Sequence, residues 1–176
     1  MDLKPSAEYI EFRKEVKSFL KDNLNMAGKA RNPARPNKNE LEWQDKLIKN
    51  GYAARTIPKD YGGYGAEPDV LKSRIIAEEF TNAQIPLGMA NQGISMFVPT
   101  LLELGTEEQK KSWIEKTIKG EVIWCQGYSE PGSGSDLASL QTKAVDDGDD
   151  FIINGQKIWT SSAQFSDRMF CLVRTE

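Results

Sequence analysis

Apolar residues recur at helical spacing through the first 120 positions and at strand spacing after them. Tyr9, Phe12, Val16, Phe19 and Leu20 share one face, which predicts a helix capped by Ser6 and running through Asn23. Residues 28–39 break this pattern with a basic, proline-containing loop. Leu41, Leu47 and Ile48 then mark the inner face of a second helix over 40–50, stopped by Gly51. Residues 56–67 are irregular. Pro68 suits the first turn of a third helix with Leu71, Ile75, Ile76 and Phe80 inward. Pro86 opens a mostly apolar, buried helical stretch to Leu104, interrupted near Pro99. Thr106-Glu-Glu-Gln109 has the form of a capping box. It opens a helix carrying Trp113, Ile114 and Ile118 that stops at Gly120.

Past Gly120 the period shortens. Residues 121–128, 137–145, 151–154, 157–160 and 169–174 read as short strands. Ile153-Asn-Gly-Gln156 is the strongest hairpin signal, because Asn-Gly suits a type I′ turn. Asp146-Asp-Gly-Asp-Asp150 predicts a second tight turn; its spacing is not that of a calcium loop, so it reads as solvated. The predicted class is α+β: a helical domain over residues 1–120, then residues 121–176 as the incomplete start of a β-domain. So short a β-segment is too small to close a core alone. The final apolar run, Met169-Phe-Cys-Leu-Val173, presents an uncovered edge, which is an aggregation liability. The chain is therefore expected to be a fragment or to need a partner that completes the sheet.

Composition narrows the chemistry. The 176 residues are 39% apolar and 28% charged, with a net charge of −3, so no electrostatic case exists for nucleic acid. No apolar run is long enough for a membrane span, and the N-terminal residues lack a signal-peptide pattern, which points to the cytoplasm. The two cysteines, Cys125 and Cys171, sit at strand-like positions and are expected to be reduced and buried. Histidine is absent, which removes the commonest general base, the usual triads and most zinc sites. No metal ligands are assigned, and the search turns to cofactor chemistry.

The richest stretch is Trp124-Cys-Gln-Gly-Tyr-Ser-Glu-Pro-Gly-Ser-Gly-Ser-Asp136. Its glycines and hydroxyls let backbone N–H groups approach a bulky polar ligand, although such a loop on its own reads as a solvated turn. Four segments in order resemble the acyl-CoA dehydrogenase family: Tyr61-Gly-Gly-Tyr-Gly65 preceded by Ile57-Pro58; Leu104-Gly-Thr-Glu-Glu-Gln-Lys110; Gln126-Gly-Tyr-Ser-Glu-Pro-Gly-Ser-Gly-Ser-Asp136; and Ile153-Asn-Gly-Gln-Lys-Ile-Trp-Thr-Ser161. The resemblance covers the N-terminal helical domain and the opening of the middle domain, here a partial antiparallel β-barrel-like domain. The C-terminal helical domain has no counterpart in these residues.

The resemblance implies FAD as cofactor and α,β-dehydrogenation of an acyl-CoA thioester as reaction. It implies that Ser129 hydrogen-bonds the pyrimidine edge of the flavin, that Ser135 lies near the CoA arm of the substrate, that Trp159 packs on the isoalloxazine, and that Ser161 approaches N5. Gln126, Tyr128, Gly134 and Thr160 complete the implied flavin-contacting set, with Ser135 shared between cofactor and substrate. Glu130 is expected to shape the loop, and Asp136 to cap or turn it. Family members often carry Thr at the positions of Ser129 and Ser161, and Trp-Ile-Thr where this chain has Trp159-Thr-Ser161. The family's catalytic glutamate belongs to the C-terminal domain, so no catalytic residue is assigned. Implied partners are electron-transfer flavoprotein as electron acceptor and further subunits, homo- or hetero-oligomeric, as in the family's tetramers. Two readings stand beside this one: a non-catalytic subunit of a related heteromer, and a same-fold flavoprotein acting on a non-CoA substrate. The basic loop 28–39 reads as solvated surface, with CoA phosphates as its alternative ligand. Gly88, Ala90, Gly93 and Ser95 leave room on one face for a substrate, or serve close packing.

Overall fold

A computed structural model of the chain describes residues 6–27 and 35–175. Among these described residues six α-helices come first: α1 (Ala7–Asp22), the single turn α2 (Leu24–Ala27), α3 (Lys38–Lys49), α4 (Val70–Asn82), α5 (Val98–Leu104) and α6 (Glu107–Ile118). Four strands follow: β1 (Trp124–Gly127), β2 (Lys143–Asp147), β3 (Asp150–Asn154) and β4 (Arg168–Cys171). Among the described residues no helix is long and apolar enough to cross a membrane.

The helices bury two apolar clusters. Val16, Leu20, Trp43, Leu47, Ile76 and Phe80 centre the first, between α1, α3 and α4. Ile48, Ile57, Val98, Leu101, Ile114 and Ile118 centre the second, between α3, α5 and α6. Polar side chains lock the helices in place. The buried Gln44 donates to the Ile118 carbonyl (2.7 Å) and accepts from the Met89 amide (2.9 Å). Arg13 on α1 pairs with Glu78 and Glu79 on α4. The Thr106–Gln109 capping box forms in both directions, as its sequence predicts.

Several helix ends differ from expectation because another nearby residue supplies the cap. Ser6 stands at the start of α1 but makes no capping hydrogen bond. α3 begins two residues early, because Asn37 and Glu40 form a reciprocal capping box. Asp69, whose carboxylate accepts from the Lys72 amide, caps α4; Pro68 therefore precedes the helix, and Leu71 is exposed rather than inward. Pro86 opens no helix. The helical run begins near Gln92 as a π-turn over Gly93–Phe97 and passes directly into α5 with Pro99 in its first turn, where a missing N–H costs nothing.

β2 and β3 form the antiparallel hairpin around the acidic turn, with Lys143 opposite Asn154 and Asp147 opposite Asp150. The Asp146 carboxylate accepts from the Gly148 amide (2.9 Å), and Gly148 has φ 80°. β1 and β4, by contrast, pair in parallel, Trp124 with Arg168 and Gly127 with Cys171, since the chain returns through the long 155–167 loop. The strand expected from 137 shortens to β2, its first residues forming a 3-10 turn at Leu137–Ser139. Asn154-Gly155 makes no hairpin, and residues 157–160 form no strand. A side-chain carbon at 155 would lie 2.6 Å from Thr142 Cβ, so close approach of two segments explains that glycine. Arg35 donates to the Phe165 carbonyl and to Asp167 (both 2.8 Å), tying the described end of the basic loop to the start of β4. Residues 28–34 of that loop lie outside the described residues.

Candidate functional site

β1 ends against the helices. Trp124 is buried, stacks on Phe97 with ring centroids 3.7 Å apart, and donates its indole N–H to Thr117 Oγ1 (3.0 Å). These contacts aim the chain outward into residues 128–136. Tyr128 meets Phe170 edge-on at 5.8 Å. The Ser129 carbonyl accepts the Ile158 amide (2.9 Å), which joins the glycine-rich loop to the loop carrying Trp159.

Glu130 anchors this junction. One carboxylate oxygen accepts from the Gln141 amide (2.6 Å); the other accepts from the Thr142 amide (2.8 Å) and the Lys157 ammonium (2.9 Å). Lys157 also donates to the Tyr128 carbonyl (3.1 Å). Glu130 and Lys157 are both almost wholly buried. Thr142 beside it, the Lys157 ammonium and the backbone amides hold the Glu130 carboxyl at about 2, well below the usual carboxylate range. Glu130 thus shapes the loop, as expected. Asp136 turns the chain through its backbone carbonyl, which accepts from Ser133 Oγ (2.7 Å) and Ser139 Oγ (2.8 Å); its side chain makes no cap.

Trp159 is 82% exposed and adopts a left-handed φ of 53°. A methyl placed on Gly134 would lie 4.0 Å from its ring, so the glycine lies within reach of the open indole. The Thr160 carbonyl accepts the Ala163 amide, closing the turn that presents Ser161. Ser161 lines a half-open cleft of about 470 Å³ together with Asn91, Gln92, Ser95 and Trp124. Gln92 Oε1 is buried there with no hydrogen-bond partner among the described residues, while its amide nitrogen donates to Gln126 Oε1 (3.1 Å). Ser135 is exposed.

The fold therefore brings Ser129, Gly134 and Trp159 into one wall and sets Ser161 in the adjoining cleft, with Gln126 behind Gln92. Tyr128 supports the loop from the β4 side, and Ser135, next to Gly134, is exposed. Ala90 and Ser95 line the cleft, whereas Gly93 serves close packing against Thr117 and Trp124. Sequence reasoning missed Gln92 and Lys157 as site residues. Lys157 lies inside the fourth quoted motif, yet no spacing rule ties it to Glu130; nothing local marks Gln92. Both cysteines fall on strands, Cys125 buried and Cys171 half-buried. Among the described residues no group of three or more metal-ligating side chains converges.

The chain belongs to the acyl-CoA dehydrogenase family. Residues 6–121 match the acyl-CoA dehydrogenase N-terminal domain and residues 125–176 the middle domain. Acyl-CoA dehydrogenase IpdE1 of Mycobacterium tuberculosis is 38% identical over 175 residues, covering 94% of this chain and 44% of that protein. Acyl-CoA dehydrogenase FadE34 of the same organism is 51% identical over 137 residues, covering 78% of this chain and 19% of that protein. The solved structure of the Tcur3481-Tcur3483 steroid ACAD matches with a TM-score of 0.71 at 34% identity, covering 100% of this chain and 45% of its own. The chain spans less than half the length of these relatives.

Proposed function

We propose that this chain carries the flavin- and thioester-facing wall of an acyl-CoA dehydrogenase that introduces an α,β double bond into an acyl-CoA. The observation that carries this reading is the junction of the two motif loops. The Ser129–Ile158 hydrogen bond holds the glycine-rich loop beside Trp159, whose ring is left open next to a glycine. A flat aromatic cofactor with polar edges fits such a wall: the indole offers a face, and the unmatched Gln92 carbonyl in the neighbouring cleft offers an acceptor.

In this reading Ser129, Gly134, Trp159, Thr160 and Ser161 hold FAD, with Gln126 and Tyr128 supporting them from behind and Ser135 reaching toward the CoA arm. The flavin, when bound, would accept the hydride that leaves the β-carbon. The chain's own contribution is placement: Trp159 covers one ring face and Ser161 donates a hydrogen bond from the cleft. Removal of the α-proton needs a carboxylate beside it, which we assign to residues outside this chain. Electron-transfer flavoprotein, in the cytoplasm, is the proposed acceptor.

The chain matches under half the length of its relatives, so that carboxylate is sought beyond the 176 residues, further along the same polypeptide or in a second subunit; among the similar structures is the Tcur3481-Tcur3483 steroid ACAD. A steroid-derived acyl-CoA is therefore the first substrate to try, with branched and medium-chain thioesters after it. Anaerobic addition of these thioesters to the complete, flavin-loaded protein should bleach the flavin's visible absorption. Bound flavin that no acyl-CoA bleaches would sink dehydrogenation and favour a non-catalytic subunit or a non-CoA substrate.

A further inference from the structure

We infer that the buried Glu130–Lys157 pair is a positioning device that sets Ser129 against Trp159. This inference rests on the flavin reading above and goes beyond it, since both side chains are buried and engaged with backbone groups and with each other.

The geometry is specific. Three consecutive residues of the glycine-rich loop are each tied to the segment just before Trp159. The Tyr128 carbonyl accepts from Lys157 Nζ (3.1 Å), the Ser129 carbonyl from the Ile158 amide (2.9 Å), and the Glu130 carboxylate from Lys157 Nζ (2.9 Å). The remaining acceptor capacity of Glu130 holds the Gln141 and Thr142 amides at the approach to β2. One carboxylate therefore clamps three chain segments that share no β-ladder at this point. The loops need such a clamp. Residues 131–136 hold two glycines, and residues 155–161 form neither helix nor strand.

A neutral hydrogen bond would serve less well. Charge-assisted bonds are shorter and about twice as strong as neutral ones. With both ions buried, the pair is also costly to separate, so the clamp has one favoured geometry. A shift of ~1 Å in a site loop can cost ~100-fold in rate, so fixing Ser129 relative to Trp159 has direct consequences for a ring held between them.

Three forms of the complete, assembled protein test this: wild type, Lys157→Met, and the double variant Glu130→Gln/Lys157→Met. FAD affinity, the flavin's visible absorption band and the thermal midpoint are measured for each. Lys157→Met should lower the midpoint, because it strands a buried carboxylate. The double variant removes both charges and should recover part of the midpoint, since its amide oxygen still accepts from one of the two backbone N–H groups, yet bind FAD about tenfold or more weakly and with a shifted band. Recovery of affinity and band together with the midpoint would overturn the inference and leave the pair a purely structural contact. Wild-type protein that binds no flavin at all would overturn the flavin reading itself, and this inference with it.

Discussion

The helical and strand regions of this chain solve opposite problems. Residues 6–118 bury apolar side chains: Trp43, Leu47, Phe80, Ile114 and Ile118 are almost fully enclosed in two clusters. The strand region buries Trp124, Cys125, Leu140 and Ala144 but leaves most apolar residues of its hairpin in the open. Val145, Phe151, Ile152 and Ile153 on the β2–β3 hairpin are all more than half exposed. Among its buried groups are Glu130, Ser133 and Thr142, which are polar. The helical half is held chiefly by hydrophobic burial, and the loops of the β half by directed hydrogen bonds and the Glu130–Lys157 and Arg35–Asp167 ion pairs. The first kind of assembly stabilises; the second sets positions, and positions matter most where a ligand is to be held.

The largest test of this contrast is Trp43→Ala. The ring is 1% exposed, packs near Phe19 and Phe80, and donates to the Pro86 carbonyl (2.8 Å). Its removal should cost about 3–5 kcal/mol, read as a lowered urea midpoint by helical circular dichroism. A loss below ~1 kcal/mol would mean that the helical half is not held by its core.

Gly93→Ala probes the seam between the halves. The added carbon would lie 3.0 Å from Thr117 Cγ2 and from Trp124 Cδ1. Overpacking there should cost about 1–3 kcal/mol and disturb the near-ultraviolet signal of Trp124. An unchanged tryptophan signal would show that the seam yields freely.

Acid should separate the halves. The Glu130 carboxyl titrates at about 2 in the fold, below its ordinary value of 4.5. A depressed acid contributes stability that is fully present above pH ~4.5 and fades as pH falls towards 2. Protection factors, with the intrinsic pH dependence of amide exchange divided out, should therefore fall at the Gln141 and Thr142 amides across that window, while those at the centre of α3 stay high. Simultaneous loss of protection in both regions would make the contrast wrong.

Phe151→Thr should have the smallest effect. At 59% exposure the side chain makes little contact within the chain, so the change should stay within ~0.5 kcal/mol in thermal or urea unfolding. A larger loss in the assembled protein, absent from this chain alone, would show that another segment or subunit covers the hairpin.

The same contrast explains what was legible in the residues. α1 and α6 announce themselves through apolar spacing, and α6 also through the Thr106–Gln109 box, because helical contacts are local. The Asn37–Glu40 box was equally readable but lay hidden at the edge of a proline-broken loop. The hairpin signal at Asn154-Gly155 misled, since glycine there serves the close passage of Thr142 rather than a turn. Leu71 looked inward by spacing, but its helix turns it to the surface. In the site, the loop residues and Trp159 stood out by composition and motif, whereas Gln92 did not, since an unmatched buried carbonyl exists only after folding.

By itself, then, the order of residues determined the helical half, the switch to short strands, and the motifs that place the chain in its family. Only the tertiary structure decided that β1 and β4 run in parallel and that Glu130 meets Lys157 across 27 residues. The physical reason is range. Helix caps and apolar stripes are written within a few residues, while the partner of a buried charge is chosen by whichever distant segment the fold brings within 3 Å.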